Sequence, residues 1–108
     1  MPAGRRVSYQ GLRVLRVFLV SFSDDVRAEL AGAEVMKPAG ISSGTLYPIL
    51  LRFERSGLLE SRWEETPPQE LGRPRRRFYR LTAHGAQVAH DTLRDLAPPL
   101  MNPRMSEA

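Results

Sequence analysis

The sequence predicts a mostly α-helical domain that contains one small β-hairpin. Three observations support this: a length of 108 residues that suits one core, apolar residues at helical spacing in several segments, and two alternating segments around a proline-rich stretch. The composition is 42% hydrophobic, which is ordinary for a globular domain and excludes disorder throughout the chain. We expect one domain over residues 8–97, with flexible tails at 1–7 and 98–108.

The first helix is predicted between Ser8 and Ser23, with Ser8 as its N-cap. Val14 and Val17 widen its apolar arc to about 200°, roughly twice the stripe that packing on one core needs. A second surface must therefore cover part of this helix. The apolar residues on one side of the helix are Leu12, Leu15, Phe18, Leu19 and Phe22.

The second helix is predicted from about Glu29 to Lys37. Leu30 and Val35 would face the core. Pro38 and Gly40 should end the helix, because proline lacks a backbone donor and glycine suits a left-handed C-cap.

A third helix is predicted from Ser42 or Ser43 to about Ser56, with Gly57 just beyond its end. Its inward face is apolar, while its outward face is small near the start and basic near the end. The inward residues are Leu46, Ile49, Leu50 and Phe53; the outward residues are Gly44, Pro48, Leu51, Arg52 and Arg55, flanked by Thr45 and Tyr47.

A hairpin and a last helix follow. Residues 58–65 and 76–81 have β character, and the segment between them, 66–74, holds three prolines and a glycine, which predicts a loop. Thr82 caps a helix over 82–97, in which Ala86, Ala89, Leu93 and Leu96 recur at helical spacing. Three helices, a hairpin and a further helix is the order of a winged helix-turn-helix domain, whose third helix enters the DNA major groove.

The charge distribution indicates a nucleic-acid partner. The net charge is +4, and all basic residues except Lys37 are arginine, which binds phosphate and base edges with two parallel hydrogen bonds. Five arginines and no acid lie between Gly72 and Arg80. A solvated charge run is the alternative interpretation of this segment.

Several classes of function lack support in the sequence. There is no cysteine, no apolar run long enough for a membrane span or signal peptide, and no catalytic motif or metal-ligand spacing; His84 and His90 would lie on different helix faces. We therefore expect a non-enzymatic protein without metal or cofactor. The expected location is the cytoplasm, in association with the nucleoid.

Three segments closely resemble the PadR family of prokaryotic winged-helix transcription regulators. They are ISSGTLYPILLRFE from Ile41, GLLESRWEE from Gly57 and GRPRRRFYRLTAHG from Gly72. The resemblance covers about residues 9–90 and is closest to short, single-domain members. It implies a DNA-binding dimer that usually represses transcription. One departure is the start of the second helix, where family members often carry Gly-Tyr and this chain has Ala31 and Gly32.

The resemblance places the DNA-binding residues on the third helix and on the hairpin, or wing. Alternatives remain for both groups: the first turn of the helix can be a simple cap, Tyr47 a packed aromatic, and the arginines solvated. The recognition-helix residues are Ser42, Ser43, Gly44, Thr45, Tyr47, Pro48, Arg52 and Arg55; the wing residues are Arg73, Arg75, Arg76 and Arg77.

The apolar surplus of the first and last helices predicts the dimer interface. The predicted interface residues are Leu12, Val14, Leu15, Val17, Phe18, Ala86, Ala89, Leu93 and Leu96. Trp63 is interpreted as packing beside Leu59 and against Tyr79, although aromatic residues of related regulators can also hold planar effectors; the sequence does not specify an effector. The expected partner is a palindromic double-stranded DNA operator, and the alternative function is a protein-binding winged helix without DNA binding.

Overall fold

Five helices and three short strands make up residues 7–96, the part of the chain that the computed structural model describes, without the side chain of Leu96. The predicted fold class, a mostly helical winged helix with one further helix, is confirmed. The expected tails at 1–7 and 98–108 lie outside the described residues except for Val7, which packs against the core. The elements are α1 Tyr9–Asp24, β1 Leu30–Ala31, α2 Gly32–Ala39, α3 Ser43–Arg55, β2 Leu59–Trp63, α4 Pro68–Leu71, β3 Arg77–Leu81 and α5 Ala83–Leu96.

Helix α1 begins where the sequence predicts. The Ser8 hydroxyl accepts a hydrogen bond from the Gly11 N–H at 3.0 Å, which satisfies one of the unpaired donors of the first turn. Val14, Leu15 and Phe18 are fully buried or nearly so and attach α1 to the core. Leu12, Val17, Leu19 and Phe22 of this helix are half-buried, whereas Val20 is exposed.

The second helix starts later than predicted. Leu30 and Ala31 form strand β1, which pairs with β3, and α2 begins at Gly32. The Glu34 carboxylate accepts the Ala31 N–H at 2.7 Å and so caps the helix from inside. Pro38 lies within the last turn rather than ending it. The left-handed Gly40, with φ of 69°, closes the helix by donating its N–H to the Met36 carbonyl at 2.8 Å.

The three strands form an antiparallel sheet in the order β1-β3-β2. Strands β2 and β3 are the two arms of the wing, and Trp63 lies opposite Arg77 in their register. The segment 66–74, predicted as a loop, contains the single helical turn α4. Its prolines are compatible with this turn because a proline at the start of a helix loses no intrahelical hydrogen bond.

The core lies between α1, α2, α3, the sheet and α5. All four predicted inward residues of α3 are buried. The other helices and the hairpin contribute further buried residues, among them Val35, Ala39, Leu58, Leu59, Tyr79, Leu81 and Ala89. Within residues 7–96, no helix has the length and apolar character that a membrane span requires.

Candidate nucleic-acid interface

The N-terminal turn of α3 is open to solvent. Ser42 is the N-cap residue, and its carbonyl accepts the N–H groups of Thr45 and Leu46, so the N–H groups of Ser43 and Gly44 precede the first intrahelical bonds. An added Cβ at Gly44 would meet no atom within 4 Å. An anion can therefore approach the backbone at this end of the helix closely.

The outward face of α3 is exposed as predicted. Pro48, Arg52 and Arg55 are exposed, and the helix runs continuously through Pro48. Because proline has no N–H, the Gly44 carbonyl lacks its usual donor in this helix. The face therefore combines small residues, an accessible carbonyl and two guanidinium groups, a surface suited to the edge of a groove.

Tyr47 projects from the flank of α3 and rests on α2. Its side chain is 46% exposed, yet a Cβ added to Gly32 would lie 2.8 Å from the Tyr47 Cζ atom. The ring thus occupies the space that a side chain at Gly32 would need. Gly32 is a supporting residue that was not among the predicted site residues, and its only sequence signal is the lack of a side chain at the start of α2.

Arg73 of the wing is bound within the chain. Its guanidinium donates to both carboxylate oxygens of Glu64, at 2.9 and 3.1 Å, and to the Pro74 carbonyl. Arg73, together with the backbone N–H of Arg76, holds the pKa of Glu64 below its usual value. Arg73 therefore shapes the wing, and its DNA contact stays a prediction.

Arg75 and Arg76 point their charge outward. Arg75 donates to the backbone carbonyl of Thr66 at 3.2 Å, and both side chains are exposed. Among the described residues, no acidic side chain forms an ion pair with either guanidinium. These two arginines carry the uncompensated positive charge of the wing.

Arg77 joins the wing to α3. Its Nη2 atom lies 3.4 Å from Oε2 of Glu54, and its guanidinium stacks over the Trp63 ring at 5.0 Å from the ring centre. Trp63 is 55% exposed, and Tyr79 lies opposite Ser61 instead. The residue directly opposite Trp63 is therefore Arg77, and the cation–π contact with its guanidinium is a contact that the sequence analysis did not include.

These elements enclose a cleft of about 420 Å³. The cleft separates α3 from the wing and opens to solvent between Tyr47 and the wing arginines. Its walls combine aromatic rings with positive charge, and its floor is made of small residues at the start of α2. The lining residues are Ala31, Gly32, Ala33, Tyr47, Trp63, Arg75, Arg76, Arg77 and Tyr79.

On the opposite face of the sheet, the arginines are paired with acidic side chains. Arg80 pairs with Glu60 at 2.8 Å, and Arg62 pairs with Glu29 at 2.7 Å and lies over the Phe78 ring. Three of the five arginines between Gly72 and Arg80 thus have an acidic partner. Positive potential is concentrated on the side of the wing that faces α3.

The predicted dimer residues separate into two groups. Val14, Leu15, Phe18 and Ala89 are buried within the single chain, so their side chains cannot also cover a second copy. This corrects their predicted assignment. Leu12, Val17, Ala86 and Leu93 remain half-buried, and the side chain of Leu96 lies outside the described residues.

Comparison with solved structures identifies a shared fold. NadR in complex with 4-hydroxyphenylacetate superposes with a TM-score of 0.72 at 19% identity; the match covers 97% of this chain and 66%, just under two thirds, of NadR. The MepR–DNA complex of Staphylococcus aureus gives 0.66 at 13% identity, over 96% and 76% of the two chains. The protein smu.1704 of Streptococcus mutans gives 0.65 at 24% identity, over 91% and 90%.

The sequence comparisons define the family. The chain matches no curated protein sequence. The model of the transcriptional regulator PadR-like family matches residues 26–91, which is more than half of the chain and includes α2, α3 and the complete wing. The resemblance inferred from the three sequence segments is thereby confirmed, and the chain belongs to the PadR-like family of winged-helix, DNA-binding transcriptional regulators.

Proposed function

We propose that the protein represses transcription by binding a palindromic DNA operator as a homodimer, with α3 in the major groove and the wing beside it. The observation that carries this proposal is a cleft that brings Tyr47 of α3 together with Arg75 and Arg76 of the wing, the two arginines without an acidic partner among the described residues. DNA is the partner whose grooves and phosphates match such a surface.

The proposed roles differ along the surface. Ser43, Gly44 and the Tyr47 hydroxyl contact phosphates, since backbone N–H groups and hydroxyls fix the register of a protein on the duplex. Thr45, Arg52 and Arg55 face the groove, where arginine reads guanine edges. Arg75 and Arg76 extend to the neighbouring minor groove, whose narrow form attracts arginine.

The salt dependence of binding tests this proposal. A duplex selected from a random-sequence pool by the wild-type protein serves as the probe. Arg76→Ala is expected to weaken binding to every sequence and to lower the slope of log K against log salt by about 1, because one phosphate contact is lost. Affinity is measured by fluorescence anisotropy across a salt series.

Arg80→Ala is the matched control, because Arg80 is paired with Glu60 on the other face of the sheet. Its salt slope should equal that of the wild type. Failure to select any duplex, or a wild-type slope near zero, would favour the alternative function as a protein-binding winged helix. An unchanged slope for Arg76→Ala would remove the wing from the interface.

A second variant tests the recognition helix. Tyr47→Phe removes one hydroxyl but keeps the ring that rests on Gly32, so the fold should be preserved. We expect binding to weaken by about 1 to 3 kcal/mol, the scale of a hydrogen bond to a charged phosphate. Tyr9→Phe makes the same chemical change at a 69% exposed position on α1 and should leave affinity unchanged. Equal affinities of the two variants would assign Tyr47 to structure alone.

A further inference from the structure

Glu54 connects the recognition helix to both arms of the wing. Its carboxylate, on the last turns of α3, accepts the Ser61 hydroxyl of β2 at 2.5 Å through Oε2. The same oxygen lies 3.4 Å from Arg77 Nη2 of β3. Within residues 7–96, the side-chain hydrogen bonds between α3 and these two strands all involve Glu54.

The Glu54 contact extends to the edge of the cleft. The Arg77 guanidinium is held between the Glu54 carboxylate and the Trp63 ring, and Trp63 lies opposite Arg77 in the strand pair. The Arg77 side chain is only 34% exposed. A charge-assisted hydrogen bond on one side and a cation–π contact on the other therefore restrict where the loop end of the two wing strands can lie relative to α3.

By charge alone, a carboxylate at the position of Glu54 is unfavourable for DNA binding. Glu54 lies on the helix whose outward face carries Arg52 and Arg55, and a carboxylate near DNA repels phosphate. It also neutralises Arg77, a group that could otherwise bind phosphate. A simple electrostatic account predicts that removing this acid strengthens DNA binding.

We propose that Glu54 is a positioning residue: it sets the spacing between α3 and the wing, and DNA affinity depends on it although it does not touch DNA. This inference rests on the proposed function. Both elements must reach adjacent grooves at once, so a wing that moves freely loses part of its contacts even though its arginines are intact.

The substitution Glu54→Gln separates the positioning role from simple electrostatic repulsion, because the two predict opposite changes in DNA affinity. Glutamine has the same shape and can still accept the Ser61 hydroxyl, but it lacks the charge that holds Arg77. We expect DNA affinity to fall about tenfold, the scale of one charge-assisted hydrogen bond, and the salt slope to flatten. Simple charge removal would instead raise the affinity.

The control and the second readout use features of the same hairpin. Glu60→Gln also removes one negative charge from an ion pair, but on the other face of the sheet, and should not lower affinity. Trp63 is the sole tryptophan, so its emission reports the cation–π contact directly in the protein without DNA. We expect Glu54→Gln to shift this emission and Glu60→Gln to leave it unchanged, with circular dichroism confirming that both variants fold.

A double-mutant cycle gives an independent test. If Arg77 acts through Glu54, Arg77→Gln should weaken binding by a similar factor, and the double variant should be no weaker than either single one. Additive losses would show that Arg77 binds DNA by itself and would overturn the inference. A Glu54→Gln protein that binds the selected duplex as tightly as wild type, or more tightly, would overturn it as well. A wild type that binds no DNA would overturn the proposed function together with this inference.

Discussion

Replacing Gly85 with alanine is expected to destabilise the protein by about 3 kcal/mol, the upper part of the usual range for overpacking. A Cβ at this position would overlap the carbonyl oxygen of Leu58 and lie 2.9 Å from the Leu58 Cα atom. Both are backbone atoms that cannot rotate away. The first turn of α5 would therefore have to lift from the turn that follows α3.

Thr82 makes the hydrogen bonds at the same joint, and the shift would strain the two that reach back to Gly57 and Leu58. Thr82 donates its backbone N–H to the Leu58 carbonyl at 3.1 Å and its hydroxyl to the Gly57 carbonyl at 2.7 Å, while it accepts the Gly85 N–H at 2.8 Å. Thr82 therefore caps α5 and fastens it to the end of the recognition helix at the same time.

Gly57→Ala is the matched control for Gly85→Ala. Gly57 has φ of +78°, but an added Cβ would meet no atom within 4 Å, so alanine there costs only the left-handed backbone strain, about 1 to 2 kcal/mol. Urea unfolding followed by circular dichroism gives both values. A Gly85→Ala protein no less stable than Gly57→Ala would show that α5 does not dock closely on Leu58.

The elements that the sequence predicts well are those with local signals. Helix α3 has a serine cap, four apolar residues at helical spacing and a terminal glycine, and all four of its inward residues are buried. Strand β1 has no such signal: it is two residues long and exists because Leu30 and Ala31 pair with distant residues of β3. Periodicity cannot detect a strand of this length, so the predicted second helix started too early.

The wing shows why charges counted along the chain overstate a binding surface. Five clustered arginines predict a basic tip, yet Glu64, Glu54 and Glu60 pair with three of them from 9, 23 and 20 residues away. Such pairings depend on strand register and on how α3 packs against the sheet. Gly32 illustrates the same limit, because its contact with Tyr47 joins two helices and leaves no pattern in the sequence.

The apolar arc of α1 has a similar ambiguity. Sequence spacing indicates more apolar surface than one face needs, but it cannot divide that surface between the core of the chain and a second copy. The structure assigns Val14, Leu15 and Phe18 to the core. The surface available for the proposed dimer is therefore narrower, and it includes Val20, which is 57% exposed and was not among the predicted interface residues.

Placing a charge on this remaining surface should convert the proposed dimer into monomers. We expect the monomers to bind the selected duplex at least about 100-fold more weakly, because a monomer contacts one half-site and lacks the avidity of two linked DNA-binding domains. Val20→Glu is the sharper variant: the side chain is already exposed in the single chain, so any large effect must come from a second copy. Leu93→Glu tests α5 in the same way at a half-buried position. Light scattering gives the oligomeric state and anisotropy gives the affinity.

His90→Glu is the control, because it adds an acid to an exposed position of α5. It should leave the dimer intact.

The joint at Thr82 and Gly85 fastens α5 to the end of α3. Pairing of two copies through α1 and α5 would therefore also set the distance between the two recognition helices, and this distance must match about one turn of DNA. Loss of dimer and loss of affinity should therefore occur together in both variants. A wild-type monomer at micromolar concentration, or a Val20→Glu dimer that binds DNA normally, would place the interface elsewhere.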